Sequence, residues 1–135
     1  MIGYVTVGTN DFEKSVAFYD RLFDMLDTPR FMEEENFVVW GKQDDSTGFS
    51  VTRPFNQQPA TSGNGTMIAF AAPSRALVDQ VHAEALKLGG ADEGAVGTRD
   101  EMPGFYVGYF RDLDGNKLSV FHISKEDMGK ALDSE

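Results

Sequence analysis

Two stretches of this sequence, 63 residues apart, carry one pattern, and that repeat narrows the possible folds more than any compositional property does. Tyr4-Val5-Thr6-Val7 falls on Met67-Ile68-Ala69-Phe70, the helix cap Asp11 falls on Ser74, and Phe18, Leu22 and Phe23 fall on Val81, Ala85 and Leu86. An offset of 69 pairs "FSVT" at Phe49–Thr52 with "LSVF" at Leu118–Phe121, placing six extra residues in the loops of the second half. The match is one of pattern rather than identity, and duplication is its simplest cause.

The local signals within each half agree. Ile2 to Gly8 alternates as a strand does, and Asn10-Asp11 supplies an N-cap. Val16, Phe18, Tyr19, Leu22, Phe23 and Leu26 then recur at three- and four-residue spacing, predicting an amphipathic helix over about Asp11 to Met25. Short strands are predicted around Arg30–Glu34, Phe37–Gly41 and Phe49–Arg53, separated by turn-like "EEN" and "QDDSTG". "PFNQQPATSGNGT" has prolines and glycines without apolar period and forms the connection. Beyond it, a strand at Met67–Ala72, a helix at Arg75–Leu88 ended by Gly89-Gly90, and strands near Ala91–Val96, Phe105–Phe110 and Lys117–Ile123 are expected. The reading is one domain over 1–135: a first βαβββ unit at 1–54, a connecting loop at 55–65, a second unit at 66–124 and a tail at 125–135.

Composition removes several function classes. The chain has no cysteine, which excludes disulfides, thiolate nucleophiles and cysteine-based zinc sites. Its 22 acidic against 12 basic residues, a net charge of −10, repel nucleic-acid phosphates and anionic lipid, so neither partner is expected. The opening "MIGYVTVGTND" lacks the charged and apolar regions of a secretory signal, and no stretch approaches the ~20 apolar residues of a membrane span, so a cytoplasmic protein is expected.

"YVTVGTNDFEKSVAFYDRLF" and, after the second helix, "GFYVGYFRDLDGNKLSVF" resemble the vicinal oxygen chelate superfamily, the glyoxalase, bleomycin-resistance and extradiol-dioxygenase group. The resemblance implies an α+β fold in which two βαβββ units form an open half-barrel cleft. It also implies a divalent metal held by His, Gln or Glu on the first and fourth strands of each unit. At the corresponding positions this chain has Tyr4, Ser50, Met67 and Ser119. A phenol, a thioether and two hydroxyls are a poor set for a hard or borderline ion, so no metal and no other cofactor is expected.

Strand alternation gives a further expectation. If Val5, Val7, Ile68 and Phe70 face the helices, then Tyr4, Thr6, Met67, Ala69, Ser50, Thr52, Ser119 and Phe121 face the cleft, a mixture suited to a small organic molecule held by apolar contact and a few hydrogen bonds. Trp40 is expected on a cleft wall. The facing of the Phe37–Gly41 strand and of Phe105–Phe110, which holds Phe105, Tyr106, Tyr109 and Phe110, is undecided by the sequence. Arg53 is the cation best placed for an anionic ligand, beside a polar loop, "FNQQPAT". Glu33-Glu34-Glu35 and Asp44-Asp45 read as solvated charge, and Asp112 and Asp114 as turn residues with Gly115 supplying positive φ. His122 is expected behind the sheet as a packed histidine and His82, beside Val81 on the second helix, as a boundary residue, leaving no hydrolytic triad. The resulting expectation is a glyoxalase-like homodimer binding a small organic ligand without metal. The alternative is a lyase, isomerase or dioxygenase whose metal ligands are unidentified.

Overall fold

A computed structural model describes residues 1–44 and 47–124. Asp45 of the second acidic cluster and the expected tail at 125–135 lie outside the described residues. The chain is α+β and divides into two compact units, Met1–Thr66 together with Asp112–Asn116, and Met67–Arg111 together with, among the described residues, Lys117–Ser124. In chain order Asp112–Asn116 fall within the second unit's expected span, 66–124, but they cluster with the first. These residues belong to the first because their side chains are bonded to its strand and helix, as described below.

The first unit runs β1 (Tyr4–Gly8), α1 (Phe12–Met25), β2 (Arg30–Glu33), β3 (Phe37–Trp40) and β4 (Gly48–Thr52). Its sheet has the order β1-β4-β3-β2, with β1 parallel to β4 and the other pairs antiparallel. Asp11 caps α1, its side chain accepting from the Lys14 backbone N–H at 3.2 Å. At the other end Thr28 N–H reaches Phe23 O at 2.8 Å and Asp27, at φ 53°, takes the left-handed position that glycine usually fills. The buried stripe Val16, Phe18, Tyr19, Leu22 and Phe23 packs on the sheet, where Tyr19, Phe23, Trp40 and Phe49 form an aromatic cluster. Tyr19 and Phe49 centroids are 4.8 Å apart and those of Phe23 and Trp40 are 5.3 Å apart. Burying each such ring contributes about 1.5–3 kcal/mol.

The second unit repeats the order with β5 (Ile68–Ala71), α2 (Arg75–Lys87), β6 (Ala91–Arg99), β7 (Met102–Arg111) and β8 (Lys117–Ile123), its sheet ordered β5-β8-β7-β6. Ser74 caps α2 through Leu77 N–H, and Gly89 at φ 106° turns the chain out of it. β6 and β7 are longer than the sequence suggests. Bulges between Asp92 and Gly94, Gly94 and Gly97, and Thr98 and Arg99 break the alternation of β6, hiding its last residues from a period-two pattern. Among the described residues no helix is long and apolar enough to cross a membrane.

Candidate functional site

The two recognisable motifs meet inside the first unit. The Tyr19 hydroxyl, fully buried on α1, donates to Asp112 Oδ2, and Asn116 Nδ2 donates to the same oxygen at 2.8 Å. Asp112 Oδ1 accepts the backbone N–H groups of Asp114 and Asn116, each at 2.9 Å. Burial, and then the neighbouring Asp112 charge, push the Tyr19 phenol well above its ordinary value, so it stays a donor. Asn116 Nδ2 also reaches Gly8 O at 3.2 Å, and Asp114 Oδ1 accepts from Asn10 N–H at 2.8 Å. The Asp-x-Asp-Gly-Asn segment therefore does more than turn the chain at Gly115. It locks the end of β1 and the start of α1.

Register decides which side chains lie away from the helices. In the first sheet Trp40 pairs with Phe49, and both join the aromatic cluster against α1. Trp40 is 1% exposed, and its Nε1 donates to Asp20 Oδ1 at 2.9 Å. The expectation that Trp40 lines a cleft wall is corrected: the strand alternation runs the other way and puts it in the helix-side core. Phe37 pairs with Thr52, Val39 with Ser50, and Ser50 with Thr6, so these residues and Tyr4 share the helix-free face. Tyr4 is 67% exposed, whereas Ser50 is 3% exposed.

In the second sheet the register puts Ala69, Ser119 and Phe121 with Phe105, Val107 and Tyr109 on the helix-free face. Phe105 and Phe121 are in contact with centroids 5.6 Å apart. Met67 precedes β5 and is 44% exposed, while Ser119 is 1% exposed. Tyr106, Gly108 and Phe110 face α2, as does His122, whose Nδ1 bonds to Ala72 O at 2.9 Å. His82 is buried rather than at a boundary. Its Nε2 lies 3.0 Å from Tyr109 O, and since a carbonyl only accepts, that nitrogen carries the proton.

The four positions where the resemblance places metal ligands offer only neutral donors, and two of them, Ser50 and Ser119, are buried hydroxyls. Among the described residues no group of three or more His, Cys, Asp or Glu side chains could hold a metal ion. This donor set does not fit a divalent ion, which draws its binding energy from several convergent charged or imidazole ligands.

The first unit carries a pocket of about 1130 Å³ at the end of its sheet. Phe37 and Thr52, at the edge of the helix-free face, form one wall, and the β2–β3 turn at Glu34, Glu35 and Asn36 forms another. Arg53 and the following loop, with Phe55 and Gln57, complete it. Arg53 N–H and Thr52 Oγ1 both bond to Asn36 O, at 2.9 and 3.2 Å, tying the turn to the end of β4. The Arg53 guanidinium lies 4.8 Å from the Phe12 ring centroid. Asn10 anchors the loop by a reciprocal pair, accepting from Ala60 N–H at 2.7 Å and donating to Ala60 O at 3.2 Å. Sequence reasoning singled out Arg53 and the loop. It missed the Glu34–Asn36 wall and the anchoring role of Asn10, whose only signal was an amide beside an Asp already sufficient as a cap.

The glyoxalase/bleomycin resistance protein/dioxygenase superfamily model matches residues 1–120. Among solved structures, a glyoxalase/bleomycin resistance protein from Albidiferax ferrireducens T118 is 37% identical with a TM-score of 0.83, over 92% of this chain and 99% of that one. A glyoxalase/bleomycin resistance protein/dioxygenase family enzyme from Burkholderia phytofirmans PsJN is 17% identical, TM-score 0.72, over 90% of this chain and 98% of that one. A lactoylglutathione lyase from Agrobacterium tumefaciens is 20% identical, TM-score 0.65, over 90% and 92%. No curated protein matches. With the two βαβββ units, these matches establish that the chain belongs to the glyoxalase/bleomycin resistance protein/dioxygenase superfamily.

Proposed function

We propose that the chain binds a small, partly apolar organic molecule on the helix-free face of its first sheet and the adjoining pocket, without a divalent metal. The observation that carries this reading is the donor chemistry at Tyr4 and Ser50 on that face, and at Met67 and Ser119 in the second unit, where a phenol, a thioether and hydroxyls stand and no carboxylate or imidazole does. Isothermal titration with Ni²⁺, Zn²⁺, Mn²⁺ and Fe²⁺ tests it. The expected result is no tight binding, and tight binding abolished by substitution at those four positions overturns the reading. Screening a metabolite library by thermal shift is expected to yield small organic molecules that raise the melting temperature in the presence of a chelator.

Two copies pair in the same reading. Phe31 and Met32 stand exposed on β2, an edge strand whose backbone is unpaired on one side, and an apolar edge of this kind is covered by association. Light scattering is expected to give twice the chain mass, falling to a single chain on Phe31→Glu with Met32→Glu.

A further inference from the structure

The charges around the pocket of the first unit select for one kind of small molecule. The Arg53 guanidinium carbon lies over the Phe12 ring, 4.8 Å from its centroid, and among the described residues no carboxylate forms an ion pair with it. Facing the same pocket from the β2–β3 turn are Glu34 and Glu35. A plain anion drawn to Arg53 meets those two carboxylates and the field of a chain of net charge −10, and a plain cation drawn to the glutamates meets Arg53. A molecule that carries both charges satisfies both walls and brings no net charge into the field.

The remaining surface is apolar and held in place. Phe55 is fully exposed at the pocket and Phe37 is beside it, on the helix-free face. An exposed phenylalanine is unfavourable in water, yet the loop that presents it is held by several hydrogen bonds. Gln57 N–H donates to Pro54 O and Gln58 N–H to Asn56 Oδ1, each at 3.0 Å, and Asn10 holds Ala60. Gln57 sits at φ 63°, a left-handed conformation that a non-glycine residue adopts only when its surroundings enforce it. A loop fixed in this way loses little freedom when a ligand docks on it.

From these features we infer that the pocket binds a small zwitterion with an apolar side group, its carboxylate on Arg53, its ammonium toward Glu34 and Glu35, and its apolar group against Phe55 and Phe37. Free amino acids and short peptides are the chemical class. The inference rests on the small-molecule reading above and narrows its ligand.

The test is isothermal titration of the full chain against the twenty free amino acids and a set of glycyl dipeptides. At least one member with an aromatic or aliphatic side chain is expected to bind with Kd below roughly 1 mM. Its methyl ester, which loses the negative charge, and its N-acetyl form, which loses the positive one, are each expected to bind at least about tenfold more weakly. Arg53→Gln and the double change Glu34→Gln with Glu35→Gln are expected to reproduce those losses, with folding checked by the fluorescence of the buried Trp40. Phe55→Ala removes only solvent-exposed atoms and supplies a variant whose folding is not in question; it too is expected to weaken binding. No zwitterion binding, or esters and N-acetyl forms binding as well as the parent, overturns the inference. So does unchanged affinity in Arg53→Gln. Failure of the broader reading is distinguishable: metal binding at Tyr4, Ser50, Met67 and Ser119 refutes the metal-free reading without altering the charge-switch comparison.

Discussion

Replacing Tyr19 by Phe removes one oxygen from the centre of the first unit and isolates the bond that joins the two family motifs. The hydroxyl donates to Asp112 Oδ2, and both residues are buried. A hydrogen bond to a charged partner contributes about 1.5–3 kcal/mol, and Asp112 keeps Asn116 Nδ2 and two backbone N–H donors when the phenol is gone. The expected loss is therefore about 1.5–3 kcal/mol, not the larger cost of an unpaired buried charge. For a chain of this length it corresponds to a fall in Tm of roughly 5–15 °C.

The pH dependence supplies a second readout. Burial and Asp112 raise the Tyr19 pKa in the folded state above the ordinary tyrosine value of 10.0. A group with a raised folded pKa contributes stability that is complete below its unfolded pKa and is lost as pH climbs through the folded one. Wild type loses stability through this group as the pH climbs past the unfolded tyrosine pKa, and Tyr19→Phe does not, so the gap between them narrows from pH 8 to pH 11. The other tyrosines are common to both proteins and cancel. Urea denaturation followed by circular dichroism at pH 8, 9, 10 and 11 measures the gap. A variant as stable as wild type at pH 8, or a gap constant to pH 11, refutes the account of the Tyr19–Asp112 bond.

Asp112→Asn is expected to cost more than Tyr19→Phe, about 3–5 kcal/mol, because its one acceptor oxygen cannot serve the four donors that converge on the carboxylate; the same urea titrations rank the two. Gly108→Ala puts a Cβ 2.8 Å from both His82 Cδ2 and Val96 Cγ2, and overpacking of this kind is expected to cost about 1–3 kcal/mol in chemical denaturation. Asp20, whose pKa is held below its ordinary value chiefly by the hydrogen bond from Arg30, contributes stability that is present above its unfolded pKa and lost as pH falls through the folded one. Since Asp20 and Arg30 are each more than a third exposed, Asp20→Asn is expected to cost less than about 1 kcal/mol at pH 7, and acid titration should show the difference vanishing below pH 4. Asn10→Ala is expected to leave Tm within a few degrees of wild type while speeding amide exchange at Ala60, because it frees the loop without touching the core.

Local order was legible because each signal is short-ranged. Asp11 and Ser74 announce their helices through a bond to the residue three positions on, and the Tyr19, Leu22 and Phe23 stripe needs only the 3.6 period. Trp40 was misplaced because a four-residue strand, "FVVW", is apolar at every position. Its facing is fixed by pairing with Phe49 on a strand several residues away, which no property of β3 itself announces. Asp112 shows the same limit more sharply. As a turn residue it was legible from Gly115, but its partner Tyr19 lies 93 residues earlier, and only the folded chain brings the two together. The pocket belongs with these long-range features. Arg53 was identifiable as a cation beside a polar loop, yet its selectivity depends on Glu34 and Glu35, which the sequence presents as ordinary solvated acid and which gain a ligand-facing role once the Asn36 carbonyl is bonded to the Arg53 backbone. A charged residue's part in the proposed pocket is thus set by the opposite charge the fold places on the same pocket, which is why removing the charge at Arg53 alone tests the pocket more directly than removing any residue the resemblance marks as a ligand.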